Sequence, residues 1–261
     1  MRIRTIIRKE WAEVFKNKLV LLTVLALPLV FVGVPLFQLA ITRQVDPGEM
    51  NDAPGNIARL CALQALTAPE CMQIYLSQSF MVFFLLMPLA IPVTIASYSI
   101  VGEKTTRSLE PLLATPTSTT EIILGKALAA VIPAIAATWL SFAIFLVGAR
   151  FFVVSDLVYA TIADPMWLIG ILLVAPLLTV LSVNIAIVIS SRVNDPRAAE
   201  QLGMLVMLPV LGLFFAQIVG IVALNLTNML LLGLVLIVVD AAMVAVGVKL
   251  FQRETILTRW R

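Results

Sequence analysis

Apolar positions along this chain gather into six long runs, at about 19–42, 79–101, 122–148, 167–190, 202–223 and 229–250, separated by shorter polar segments. Crossing roughly 30 Å of hydrocarbon takes about 20 residues of helix, and each run is long enough. Lipid offers the backbone no hydrogen-bond partner, so each run is predicted to be a helix. The fold class expected is all-α integral membrane, one transmembrane domain over 1–261.

A seventh element precedes the first run. In "MRIRTIIRKEWAEVFKNK" the residues Ile3, Ile6, Ile7, Trp11, Val14 and Phe15 recur at helical spacing, opposite Arg4, Arg8, Lys9, Glu13 and Lys16. Residues 1–18 therefore read as an amphipathic helix lying on the membrane surface, in contact with lipid. The first apolar run is full length, so it reads as a retained anchor and not as a cleaved signal. Between the first and second runs, 43–78 is the only sizeable polar piece and is too short for a domain. Pro28, Pro35, Pro88, Pro92, Pro133, Pro176 and Pro209 fall inside the runs, where each removes a backbone hydrogen bond and can kink or hinge a helix. No internal repeat divides the runs into matched halves, which argues against a secondary transporter.

Composition agrees with the pattern: 61% of residues are hydrophobic and 13% charged, too little polar surface for a soluble globule. The charge distribution sets an orientation. Of the 18 Lys and Arg residues, all but Arg43, Arg59 and Arg150 lie in the N-terminal segment, the 102–126 region, the 191–200 loop or the C-terminal segment. By the positive-inside rule both termini are cytoplasmic in a multi-pass protein of the inner, cytoplasmic membrane. The net charge of +3 follows from this topology and implies no nucleic acid partner.

Several chemistries are excluded. The chain has no histidine, which removes Ser-His triads and HExxH zinc sites, and no catalytic or metal-binding set can be assembled. No GxxxxGK[ST] is present, so the chain binds no ATP through a P-loop and needs no cofactor of its own. Asp240 stands deep in the sixth run and Asn184 in the fourth. Each is expected to face a translocation path or to bond a neighbouring helix. Cys61 and Cys71 both fall in 43–78, on the oxidising side. A straight helix would hold them roughly 15 Å apart, so a disulfide requires a turn near Pro69; the alternative is two unpaired thiols.

The stretch "VGEKTTRSLEPLLATPTSTTEIILGKAL", 101–128, is the longest that is not apolar. Glu103 and Arg107 are four apart and can pair as the second helix emerges into water. Ser108 can cap a short helix presenting Leu109, Leu112 and Leu113, with Pro111 in its first turn and Thr115-Pro116 at its end. Ser118 and Glu121 form a capping box for the next long helix, which carries Gly125 and Lys126 at the membrane surface. Such a short helix with an apolar face suits a groove in a cytoplasmic partner.

This segment resembles the loop between the second and third spans of ABC-2-type exporter permeases. An acidic-basic pair, a Thr or Ser, a Leu-Glu, a Leu-Leu, a Thr-Pro and a final Gly-Lys recur there in this order. The wider layout is similar too, including a loop like "SSRVNDPRAAEQLG" at 190–203. The resemblance implies a coupling role toward an ATPase for Glu103, Lys104, Thr106, Arg107, Leu109, Glu110, Leu112, Leu113, Thr115 and Pro116. It also implies a working unit of two permeases and two separate ATPase subunits, which would hold ATP and magnesium. The expected function is that of a non-catalytic permease subunit of an ATP-driven exporter. Two alternatives remain: mechanical transmission to an extracytoplasmic partner, or a membrane scaffold.

Overall fold

The computed structural model describes residues 2–44, 66–105, 119–219, 221 and 224–250. The described residues are almost entirely helical and contain no strand. An amphipathic helix α1 (Arg2–Val14) precedes α2 (Lys18–Ile41), the first span, which ends in a single 3-10 turn at Thr42–Gln44. Helices α3 (Ala68–Phe84) and α4 (Met87–Thr105) together make the second span, and α5 (Thr119–Phe152) the third. The fourth span is assembled from α6 (Asp156–Ile162), α7 (Pro165–Ile169), a π-helical turn at Gly170–Val174, and α8 (Ala175–Arg192). The fifth runs through α9 (Pro196–Gly203), a 3-10 turn at Met204–Met207 and α10 (Leu208–Ile218), and α11 (Leu226–Leu250) is the sixth.

The spans differ sharply in how much protein surrounds them. The second is 89% buried over its most apolar window while the fifth is 11% buried, so α3–α4 is the central post and α10 lies at the periphery. Phe84, Met87, Leu89, Ile91 and Ile95 of the post are at most 1% exposed. They belong to one core with Ile171, Val174 and Leu178 of the fourth span and Phe142 and Phe145 of α5. Peripheral faces such as Leu22, Leu25 and Leu29 on α2 are exposed, as expected of helix surfaces whose solvent is lipid.

The second span starts at Ala68, eleven residues before the predicted boundary at 79, which shortens the polar segment 43–78 from its far end. Glu70 accepts hydrogen bonds from the Thr67 N–H at 3.0 Å and hydroxyl at 2.7 Å, and Pro69 sits in the first turn, so Ala68 is a well-marked start. The early turns look polar in sequence because of Gln73, Ser77 and Ser79, yet all three are buried in the bundle. Gln73 shows why. Its amide NH2 donates to Leu39 O at 2.8 Å and Phe152 O at 3.1 Å, and its oxygen accepts from Val154 N–H at 3.0 Å. One side chain thereby satisfies backbone groups at the ends of two other spans.

Pro88 marks the break between α3 and α4, and Ser182 of α8 donates to its carbonyl at 3.2 Å. Pro176 has a subtler effect. In the π turn the Ala175 N–H bonds Gly170 O instead of Ile171 O, and the next residue, Pro176, has no N–H to offer. The orphaned Ile171 carbonyl is taken by the indole N–H of Trp139 on α5, at 2.9 Å.

The 190–203 segment, read from sequence as a loop, is mostly helical. Helix α8 runs to Arg192, and α9 begins after Asp195, whose side chain accepts from Arg197 N–H at 2.8 Å. Helix α9 packs tightly on the central post: a Cβ placed on Gly203 would stand 2.6 Å from Val93 Cγ1. The fifth span runs over Pro196–Ile218 where 202–223 was expected, with Leu208–Ile218 its last α-helical piece.

Candidate functional site

Three elements converge at the end of the bundle where α1 lies: α1, the end of α4, and the start of α5. Helix α1 is seated on α5 by close approach and by one directed bond. A Cβ on Gly125 would fall 2.8 Å from Ile6 Cγ2, so glycine is what lets the helices touch, and the Trp11 indole N–H donates to Ala129 O at 2.9 Å.

Between these helices lies a buried ionic cluster. Glu10 of α1 is 2% exposed, Glu103 of α4 is 5% exposed and Lys126 of α5 is 7% exposed. The Lys126 ammonium sits 2.8 Å from Glu10 Oε1 and 2.8 Å from Glu103 Oε2, and donates to Ser99 Oγ at 3.0 Å. The Ser99 hydroxyl in turn donates to Glu10 Oε2. At the rim, Lys9 donates to Glu103 Oε1 at 2.5 Å, with Glu10 at 3.9 Å and Glu13 at 3.6 Å. Burial alone would lower the Lys9 pKa, but the Glu103 hydrogen bond and charge, with Glu10 and Glu13 adding, hold it above its ordinary value.

Among the described residues the cluster matches its two buried carboxylates with Lys126 and, at the rim, Lys9, and such pairing is a condition for keeping charges out of water. Its geometry does more than balance charge. Glu103 and Lys126 stand on either side of 106–118 in the sequence, and Glu10 ties both to the amphipathic helix. The three helices at this end are thus fastened to one another by buried charges.

Of the ten residues implicated by resemblance, Glu103 is central to this cluster. Lys104 continues the α4 backbone, and Thr106, Arg107, Leu109, Glu110, Leu112, Leu113, Thr115 and Pro116 lie outside the described residues, as does the expected Glu103–Arg107 pairing. Lys126 was expected at the membrane surface and is instead buried between two carboxylates. Glu10 was not singled out in the sequence, though a signal was there. It continues the stripe of Ile3, Ile6, Ile7 and Val14, and an acid on the apolar face of an amphipathic helix must find a partner inside.

The remaining candidates lie elsewhere. Asn184 donates from its amide to Val180 O at 2.9 Å, within its own helix. Asp240 is 7% exposed, and its two carboxylate oxygens have no hydrogen-bond partner among the described residues. Cys71 is buried against Leu66 and Tyr75 and is disulfide-bonded, and Cys61 lies outside the described residues. Among the described residues no group of three or more Cys, Asp or Glu could hold a metal ion.

Six helices long and apolar enough to cross a membrane, with an exposed apolar periphery, mark a multi-pass membrane protein. The family model described as ABC-2 family transporter protein matches residues 4–241, nearly the whole chain, and the chain belongs to that family of ABC transporter membrane components. Membership implies association with an ABC ATPase. No curated protein matches the chain.

Proposed function

We propose that this chain is the non-catalytic permease subunit of an ABC exporter, and that 102–121 is its coupling segment toward a separate cytoplasmic ATPase, which supplies ATP and magnesium. In this reading both termini are cytoplasmic and two copies of the chain pair with two ATPase subunits. The observation that carries it is the Glu10–Lys126–Glu103 cluster, which fastens α1, α4 and α5 at the two ends of that segment. A push on 106–118 enters the bundle through both flanking helices, and the buried ion pairs oblige α1 to move with them. Separating them would strand charges in a dry site, a penalty of about 3–5 kcal/mol. Force is then delivered to the buried second span, whose break at Leu85–Leu86 and Pro88 gives it a place to bend.

The experiment is affinity purification of the chain from its native membrane in mild detergent, with mass spectrometry of what accompanies it. A P-loop ATPase at about one copy per chain is the expected result. A folded chain that brings no ATPase would overturn the reading in favour of a scaffold.

A further inference from the structure

A second polar site lies away from the ionic cluster, between α2, α4 and α9. It is a cavity of about 490 Å³ lined in part by Thr23 of α2, Thr94 and Tyr98 of α4, and Arg197, Glu200 and Gln201 of α9. That volume falls in the range of small-ligand pockets, about 300–1,000 Å³. We propose that this cavity binds the headgroup of a zwitterionic phospholipid carrying a primary ammonium, drawn from the leaflet in which α1 lies.

The charge pattern specifies such a headgroup. Glu200 is held in place by Thr94, whose hydroxyl donates to Oε1 at 2.7 Å from a site 1% exposed. Arg197 stands three residues earlier, which places it on the same face of α9, and it makes no ion pair among the described residues. A guanidinium suits a phosphate, and a carboxylate with a free oxygen suits an N–H-bearing cation, so one helix face offers both halves of a phosphate–ammonium pair. Tyr98 and Gln201 add hydrogen-bonding groups to the wall.

The setting selects a lipid over a soluble zwitterion. On the α2 side, Thr23 is flanked by Leu22 and Leu25, which are 64% and 56% exposed. On the other side, Leu202, Leu205 and Leu208 continue from α9 into α10 and are likewise exposed. The polar cavity is therefore framed by two apolar tracks along which acyl chains can lie. Polar groups inside and apolar tracks outside match an amphiphile. This proposal concerns a different place from the coupling cluster and does not depend on the coupling reading.

The test uses the full chain in phosphatidylcholine nanodiscs containing a trace of a photoactivatable phosphatidylethanolamine, with labelled peptides mapped by mass spectrometry. The expected result is labelling concentrated on the α2, α4 and α9 peptides. It should be competed by unlabelled phosphatidylethanolamine about tenfold or more better than by phosphatidylglycerol, a factor expected for one charge-assisted hydrogen bond. Arg197→Gln should reduce the labelling, and the near-isosteric Glu200→Gln should abolish the preference for ethanolamine over phosphatidylcholine. Both variants are checked for an unchanged melting temperature. Labelling spread evenly over α10 and α11, or unaltered by either substitution, would overturn the proposal. Competition by millimolar phosphoethanolamine would instead assign the cavity to a soluble ligand, and absent labelling with a chemically cross-linkable second chain across α2 and α9 would assign it to self-association; either contradicts a lipid site.

Discussion

Replacing Lys126 with methionine removes the buried cation that stands 2.8 Å from each of the two buried carboxylates while keeping length and apolar volume. Glu10 then keeps the Ser99 hydroxyl and, as its cation, Lys9 at 3.9 Å, and loses its 2.8 Å partner; Glu103 keeps Lys9 at 2.5 Å. Breaking a buried ion pair from one side costs about 3–5 kcal/mol, because the partner charge stays buried. For a chain of this size each kcal/mol moves a midpoint by roughly 2–4 °C, so even the lower figure predicts a fall of roughly 6–12 °C. The assay is thermal unfolding in a fixed detergent, with protease protection of α1 read in parallel. The double substitution Glu10→Gln with Lys126→Met should recover part of the loss, since it removes the stranded acid together with its partner, and a coupling of about 1 kcal/mol or more is expected from such a cycle. A shift under about 2 °C with α1 still protected would refute the claim that the cluster fastens the three helices.

Other substitutions probe the remaining features. Trp139→Phe should destabilise by about 1–3 kcal/mol in thermal unfolding, because the Ile171 carbonyl freed by Pro176 loses its donor; no change would show that the π turn needs no outside partner. Asp240→Leu should raise the unfolding midpoint, since it removes a buried carboxylate without a hydrogen-bond partner among the described residues; a fall would reveal a partner for the acid. Lys9 has a raised pKa, so its contribution is fully present below its ordinary value of 10.5 and is lost as pH rises through the higher folded value. Protease release of α1 should therefore increase at strongly alkaline pH, and Lys9→Gln should remove that dependence. Cys61 and Cys71 are expected to form one disulfide, read as a single intrachain bridge by non-reducing peptide mapping; two alkylatable thiols would contradict it.

The lipid-facing part of the fold was legible because it is written in hydropathy: α2 and α11 match their predicted runs to within a few residues. The central post was less so. Burial inside protein removes the need for apolar side chains, and Gln73 and Ser79 enter the membrane bundle because their hydrogen bonds close within it, something no window average sees. Helix α9 was missed for a related reason, since Asn194-Asp195-Pro196 reads equally as a loop or as the cap of a short helix, and its packing through Gly203 decides. At the site, Glu103 was legible through the resemblance of its segment. Glu10 and Lys126 were not, because the partners are more than a hundred residues apart and only the tertiary fold brings the acid on the apolar stripe of α1 to the base of α5.

The central claim is that 102–121 carries the ATPase's movement into the bundle. The most direct test is ATP hydrolysis by the chain reconstituted with its copurifying ATPase in nanodiscs, compared with Leu112→Asp. The account predicts that the variant inserts and melts like the native chain but loses the stimulation of hydrolysis that the permease confers. Undiminished stimulation would contradict it.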